Sequence, residues 1–106
     1  MIITDQHTLK LYQRAGELST RILGQLKTTI KPDVLPIEID QLAESLCQKN
    51  NVRPAFKGVN PANPYRYSTC ISINDVVVHG IPSKKKPIQT GDVVKVDFGL
   101  VYQGLY

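Results

Sequence analysis

A chain of 106 residues, 42% of them hydrophobic, has room for a core and for one small domain, and no run in it is long enough to cross a membrane as a helix. The opening MIITDQHTLK lacks the basic-then-apolar order of a secretory leader, so the cytoplasm is the expected compartment. The net charge of +4 is uneven: residues 54–106 hold six basic and three acidic side chains, half of the basic ones in Lys84-Lys85-Lys86, a run that reads as a solvated loop and not as a specific nucleic-acid site, because no aromatic platform or recognition helix accompanies it.

In chain order, Thr4 or Asp5 can cap a first helix over about 5–30. Leu9, Tyr12, Ala15, Leu18, Ile22, Leu23 and Leu26 recur at steps of mostly three and four, one apolar stripe, and Pro32 is the expected stop. Gly16 and Gly24 inside this helix suggest close packing against a sheet. A second helix starts near Pro36, buries Ile39, Leu42, Ala43, Leu46 and Cys47, and ends at Asn50-Asn51. Cys47 reads as core and, with Cys70 in another element and no CxxC spacing, as a free thiol.

Beyond Val52 the pattern turns to strands: 55–59, 68–73, 76–78 and 93–101. Asn60-Pro61-Ala62-Asn63-Pro64 and 83–91 are loops, and Gly91-Asp92 turns the chain into the last strand. Two helices followed by about four strands predict an α+β fold with both helices on one face of an antiparallel sheet. In the last strand Val94, Val96, Phe98 and Leu100 share one face, while Val93, Lys95, Asp97, Gly99 and Val101 share the other. Gln103-Gly104 fits a two-residue hairpin turn that would pair Tyr102 with Leu105.

Two residues stand out chemically. Asp97 sits among β-branched residues, where burying a charge is costly unless a metal or a donor compensates it; the plainer alternative is a salt bridge to a lysine on a neighbouring strand. His79 stands in the tight turn His79-Gly80-Ile81-Pro82, either as a loop-fixing imidazole or as a group that exchanges hydrogen bonds with a substrate near neutral pH.

The ordered set Arg14-Ala15-Gly16, Lys31-Pro32, Glu38-Ile39-Asp40, Phe56-Lys57-Gly58, Tyr65, Cys70-Ile71-Ser72-Ile73-Asn74, His79-Gly80-Ile81-Pro82, Gly91-Asp92-Val93-Val94 and Val96-Asp97 resembles the type I methionine aminopeptidases. The resemblance spans essentially the whole chain and implies the N-terminal half of their pita-bread α+β fold, so that residues 1–106 are one domain, an incomplete N-terminal portion of a catalytic domain. It implies removal of the N-terminal methionine of nascent proteins by metal-assisted amide hydrolysis, with two divalent ions (Co, Mn, Fe or Zn) in the complete enzyme. Asp97 matches the first metal-ligand aspartate, His79 the histidine that contacts the substrate near the scissile amide, and Tyr65 and Cys70 the walls of the pocket for the methionine side chain. The remaining ligands have no counterpart here, so the chain alone is expected to hold no metal pair and to be inactive. The implied partners are the N-terminal methionine of nascent peptides, with the ribosome a candidate, no membrane and no specific nucleic acid, and the complete enzyme is expected to be a monomer. A non-catalytic peptide- or ribosome-binding module of the same fold is the alternative. Three departures are visible: Leu35 where a serine or threonine cap is usual, Arg66 after Tyr65, and a long 60–64 loop.

Overall fold

The computed structural model describes residues 2–76 and 79–105. Its first helix, α1 (Gln6–Lys27), begins where a side chain can accept an orphan N–H: Asp5 is extended and takes the Thr8 N–H at 3.1 Å. Hydrogen bonding from the Thr8 side chain and then its backbone holds the Asp5 carboxyl below its ordinary range. Ala15, Leu18, Ile22 and Leu26 form the buried stripe, whereas Leu9 is 38% exposed, so the stripe begins a turn and a half later than its periodicity suggests. The helix also stops before Pro32. The Thr28 and Thr29 hydroxyls donate to the carbonyls of Gln25 and Leu26 at 2.7 Å, and the Thr29 N–H turns back to Leu26 at 3.0 Å. Hydroxyl competition for the last carbonyls therefore ends α1, not the proline. Neither Gly16 nor Gly24 has a heavy atom within 4 Å of where a Cβ would stand, so close sheet packing does not account for them.

Helix α2 (Pro36–Lys49) opens on Pro36, whose missing N–H costs nothing there. Leu35 gives no side-chain cap; the Ile37 N–H donates instead to the Ser83 carbonyl at 3.0 Å and the Glu38 N–H to that of Leu35 at 2.9 Å. At the other end Asn51 takes a left-handed conformation (φ 55°), its N–H reaches Gln48 O at 3.2 Å, and the Val52 N–H reaches Cys47 O at 3.0 Å. Those two bonds with a buried Val52 are a Schellman close.

The strands form two antiparallel pairs. β2 (Thr69–Ile73) pairs with β3 (Val94–Phe98), and β1 (Arg53–Pro54) pairs with β4 (Leu100–Val101). The expected continuous strand over 93–101 is thus divided at Gly99, whose carbonyl accepts the Ala55 N–H at 2.9 Å and whose Cβ, were there one, would stand 3.4 Å from that of Ala55. That hydrogen bond falls where the chain passes from pairing with β2 to pairing with β1. The alternation of faces holds within β3, but Leu100 and Val101 are both buried. The strand expected at 55–59 is displaced to Arg53–Pro54, because the chain then bends through left-handed Gly58 and Asn60 and is closed by Gly58 N–H to Tyr65 O at 2.8 Å. Of the strand expected at 76–78, Val77 and Val78 lie outside the described residues, and Val76 belongs to no strand.

Both helices cover the inner face of these strands. Ile22, Leu26, Ile39, Ala43 and Cys47 meet Ile71, Phe98 and Leu100, with Val94 and Val96 packed at the edge of that core. This is the predicted α+β arrangement. The Gln103-Gly104 hairpin forms as expected: both residues have positive φ, and Tyr102 and Leu105 exchange bonds of 2.8 and 2.9 Å.

Candidate active site

The outer face of the β2–β3 pair carries the candidate chemistry. Cys70 stands directly opposite Asp97 in the register, and side chains of opposed residues share a face. The 79–83 segment lies along the free edge of β2. The Ile71 N–H donates to the Gly80 carbonyl at 2.8 Å, and the Gly80 N–H to the Ser72 hydroxyl at 3.0 Å. A Cβ on Gly80 would sit 2.3 Å from the Ile71 carbonyl oxygen and 2.8 Å from the Ser72 Cα, so only glycine permits this approach. Pro82 is fully buried, and Ser83 caps α2 as described above. Fixed from both sides, the segment presents His79 in a left-handed conformation (φ 58°) with its side chain exposed.

Tyr65, Cys70, His79 and Asp97 all line one cavity of about 450 Å³, which Phe56, Val59 and Ile81 make apolar. Two other hollows, of about 390 and 300 Å³, contain none of the four. Asp97 is exposed, which removes the sequence argument that a buried charge there needs compensation. Its plainer alternative also fails among the described residues: no lysine pairs with Asp97, and the nearest candidate on its strand, Lys95, donates to the carbonyls of Asn74 and Val76 at 3.2 and 2.9 Å. His79 likewise makes no hydrogen bond to a loop carbonyl among the described residues. Asp92 behaves as turn chemistry: its carboxylate accepts from the Gln89 N–H at 2.9 Å and the Asn74 amide at 3.0 Å, and these bonds hold it below the ordinary carboxylate range.

The cavity wall has a support that the sequence reading overlooked. Asp40, on the buried face of α2 and 3% exposed, accepts three hydrogen bonds on Oδ1: from Ser68 N at 3.0 Å, Thr69 N at 2.7 Å and the Thr69 hydroxyl at 2.6 Å. Tyr65 in turn donates its hydroxyl to the Thr69 carbonyl at 2.7 Å. Burial, and after it the adjacent Cys70 thiol, push the Tyr65 phenol upward. One helix carboxylate thus sets the start of β2, and through it both Tyr65 and Cys70. The available signal was a charged residue on an otherwise apolar helix face. Beside this wall the Lys84 ammonium lies 5.9 Å from the centre of the Tyr67 ring.

As a metal centre the described residues are partial. The Asp97 carboxylate is a hard oxygen donor facing a cleft and could supply one bond to a divalent ion, but no three His, Cys, Asp or Glu side chains among the described residues come together as a metal-binding group.

Residues 10–106 match the family model described as metallopeptidase family M24. The chain is 37% identical over 102 residues to the methionine aminopeptidase of Aquifex aeolicus, covering 93% of this chain and 40% of that protein. Against the methionine aminopeptidase of Clostridium perfringens identity is 30% over 106 residues, all of this chain and 41% of the other. The crystal structure of the Thermotoga maritima methionine aminopeptidase superposes with a TM-score of 0.89 at 36% identity, over 98% of this chain and 41% of that one. That of the enzyme from Rickettsia prowazekii gives 0.82 at 32%, over 95% and 39%. The chain spans about two-fifths of the length of these relatives.

Proposed function

The chain belongs to metallopeptidase family M24, and from that premise we propose that residues 1–106 supply the N-terminal part of a methionine aminopeptidase site, acting on the N-terminal methionine of nascent peptides. What supports the reading is one observation: Tyr65, Cys70, His79 and Asp97, spread over three segments of the chain, converge on a single cavity. Its apolar side, Phe56 with Val59 and Ile81, suits an unbranched thioether side chain. Tyr65 and Cys70 form its wall. His79, held at the rim by the Gly80 contact, exchanges a hydrogen bond with the scissile amide, which its imidazole can do as donor or acceptor near neutral pH. Asp97 would hold one of two divalent ions of the Mn, Fe, Co or Zn type, which when bound polarise the amide carbonyl and lower the pKa of water.

One carboxylate does not hold such a pair, so the 106-residue chain binds without turning over. A metal-free peptide-binding role is the second reading, which the apolar side of the same cavity also fits. Titration of the chain with methioninamide, followed by amide NMR shifts, tests the cleft. Shifts concentrated at Tyr65, Cys70 and His79, and weaker with alaninamide, are expected; no shifts there, or equal ones with both ligands, would remove the proposal.

A further inference from the structure

Past the cleft rim the chain carries a run of three lysines, and hydrogen bonds to Ser83 hold the turn that bears it. Lys84, Lys85 and Lys86 are all exposed. The Ser83 hydroxyl accepts the N–H groups of Lys85 and Lys86 at 3.2 and 2.9 Å, while the Ser83 carbonyl is tied to the start of α2 and Pro82 is buried. Lys86 faces Asp92, whose carboxyl it helps to hold low. Among the described residues Lys84 and Lys85 have no ion pair.

This turn is continuous with the cavity on two paths. Ile81, three residues earlier, lines the cavity and is 63% exposed. Lys84 lies over Tyr67, and Tyr67 meets the cavity residue Tyr65 edge to face with ring centres 5.5 Å apart. The Lys84 ammonium is therefore within about three or four extended peptide residues of the cavity wall, at roughly 3.3 Å per residue. We propose that the Lys84–Lys86 turn is a docking ridge for acidic side chains of the same peptide whose first residue enters the cleft, so that preferred peptides carry Asp or Glu a few residues after their N-terminus. The inference rests on the cleft reading above.

The observations favour a peptide over RNA. Tyr67 is half-buried, with Lys84 on one face and Tyr65 meeting the ring edge to face, so it offers little free face for base stacking. Lysine ammonium groups are point charges that pair with carboxylates without fixed geometry, which suits acidic residues at variable spacing.

The test is titration of the 106-residue chain, by fluorescence anisotropy, with C-terminally labelled Met-Ala-Gly-Glu-Glu-Glu-Gly and its Gln-Gln-Gln counterpart. Exposed charge pairs predict a roughly 2- to 25-fold advantage for the acidic peptide at low ionic strength, from two such pairs. The advantage should vanish in the double variant Lys84→Gln, Lys85→Gln, which leaves the cleft intact, and in about 0.5 M salt, where such pairs are screened. Equal affinities, with both peptides weakened by N-acetylation, overturn the ridge and leave the cleft reading standing. Acidic binding that is ridge-dependent but unaffected by acetylation supports the ridge as an anion surface and overturns its coupling to the cleft. Absence of binding by either peptide overturns both, and tighter ridge-dependent binding of an oligouridylate of the same charge overturns the peptide assignment.

Discussion

Replacing Asp40 by alanine tests how the cavity wall is held. The substitution leaves the Ser68 and Thr69 N–H groups without an acceptor in a site where both residues are 0% exposed. Each orphaned buried donor costs about 1–3 kcal/mol, and the Thr69 hydroxyl can rotate away, so the total is about 3–5 kcal/mol. That is a large share of the roughly 5–15 kcal/mol by which a domain is stable. Asp40→Asn keeps an acceptor oxygen but loses the charge-assisted strength of the bonds, and should cost about 1–2 kcal/mol. Ser68→Ala is the internal control: its hydroxyl is buried and has no partner, so its removal should be neutral or stabilising. Urea unfolding followed by far-UV circular dichroism ranks the three variants. An Asp40→Ala protein within 1 kcal/mol of wild type, or an Asn variant as damaged as the alanine one, would refute the assignment of Asp40 as the anchor of β2.

Gly80→Ala should cost about 2–3 kcal/mol by thermal unfolding and shift the His79 amide resonance, because backbone and not a flexible side chain occupies the Cβ position; unchanged stability would contradict the close approach. Gly24→Ala, by contrast, places a methyl in open space on an exposed helix position and should stabilise by about 0.5–1 kcal/mol, a rise in urea midpoint that a real packing role for Gly24 would reverse. Burial, and after it Glu44, raise the Cys47 thiol from 9.0 to about 11. A raised acid contributes fully below its unfolded pKa and loses that contribution as pH rises toward the folded one, so between pH 9 and 11 wild type should lose up to about 1.4 kcal/mol per pH unit more than Cys47→Ala. Parallel stability curves over that window would show that Cys47 is not held in the core.

The helices were legible because their signals are local. Asp5, Pro36 and Asn51 each act within one turn of themselves, and so does the Gln103-Gly104 hairpin. What the sequence hid depends on distant neighbours. The break at Gly99 comes from Ala55 and the capping of α2 from Ser83, 48 residues after Leu35 in the printed sequence, and neither leaves a mark in local periodicity. Pro32 is the louder signal in the sequence, yet α1 ends earlier, where the Thr28 and Thr29 hydroxyls take the carbonyls of Gln25 and Leu26. Asp97 and His79 stand out by residue type, and the structure brings them to one cavity with Tyr65 and Cys70, but a buried charge is not what marks Asp97, whose side chain is exposed. Asp40 carries one local mark, a charge on an otherwise apolar helix face, while the donors that give it a role, Ser68 and Thr69, lie 28 and 29 residues away in sequence.

Whether these four residues form part of a methionine aminopeptidase site is tested by supplying the rest of such an enzyme. A chimera would join residues 1–106 of this chain to the remainder of the Thermotoga maritima protein, and hydrolysis of Met-Gly-Met and bound metal would be measured together. Turnover is expected in the chimera and none in the 106-residue chain. At least a 100-fold fall is expected for His79→Ala with metal content unchanged, in line with the roughly 10²–10⁴-fold that a positioned acid or base contributes, and loss of metal for Asp97→Asn. A folded chimera in which His79→Ala keeps its turnover, or in which Asp97→Asn keeps its full metal content, would contradict these roles.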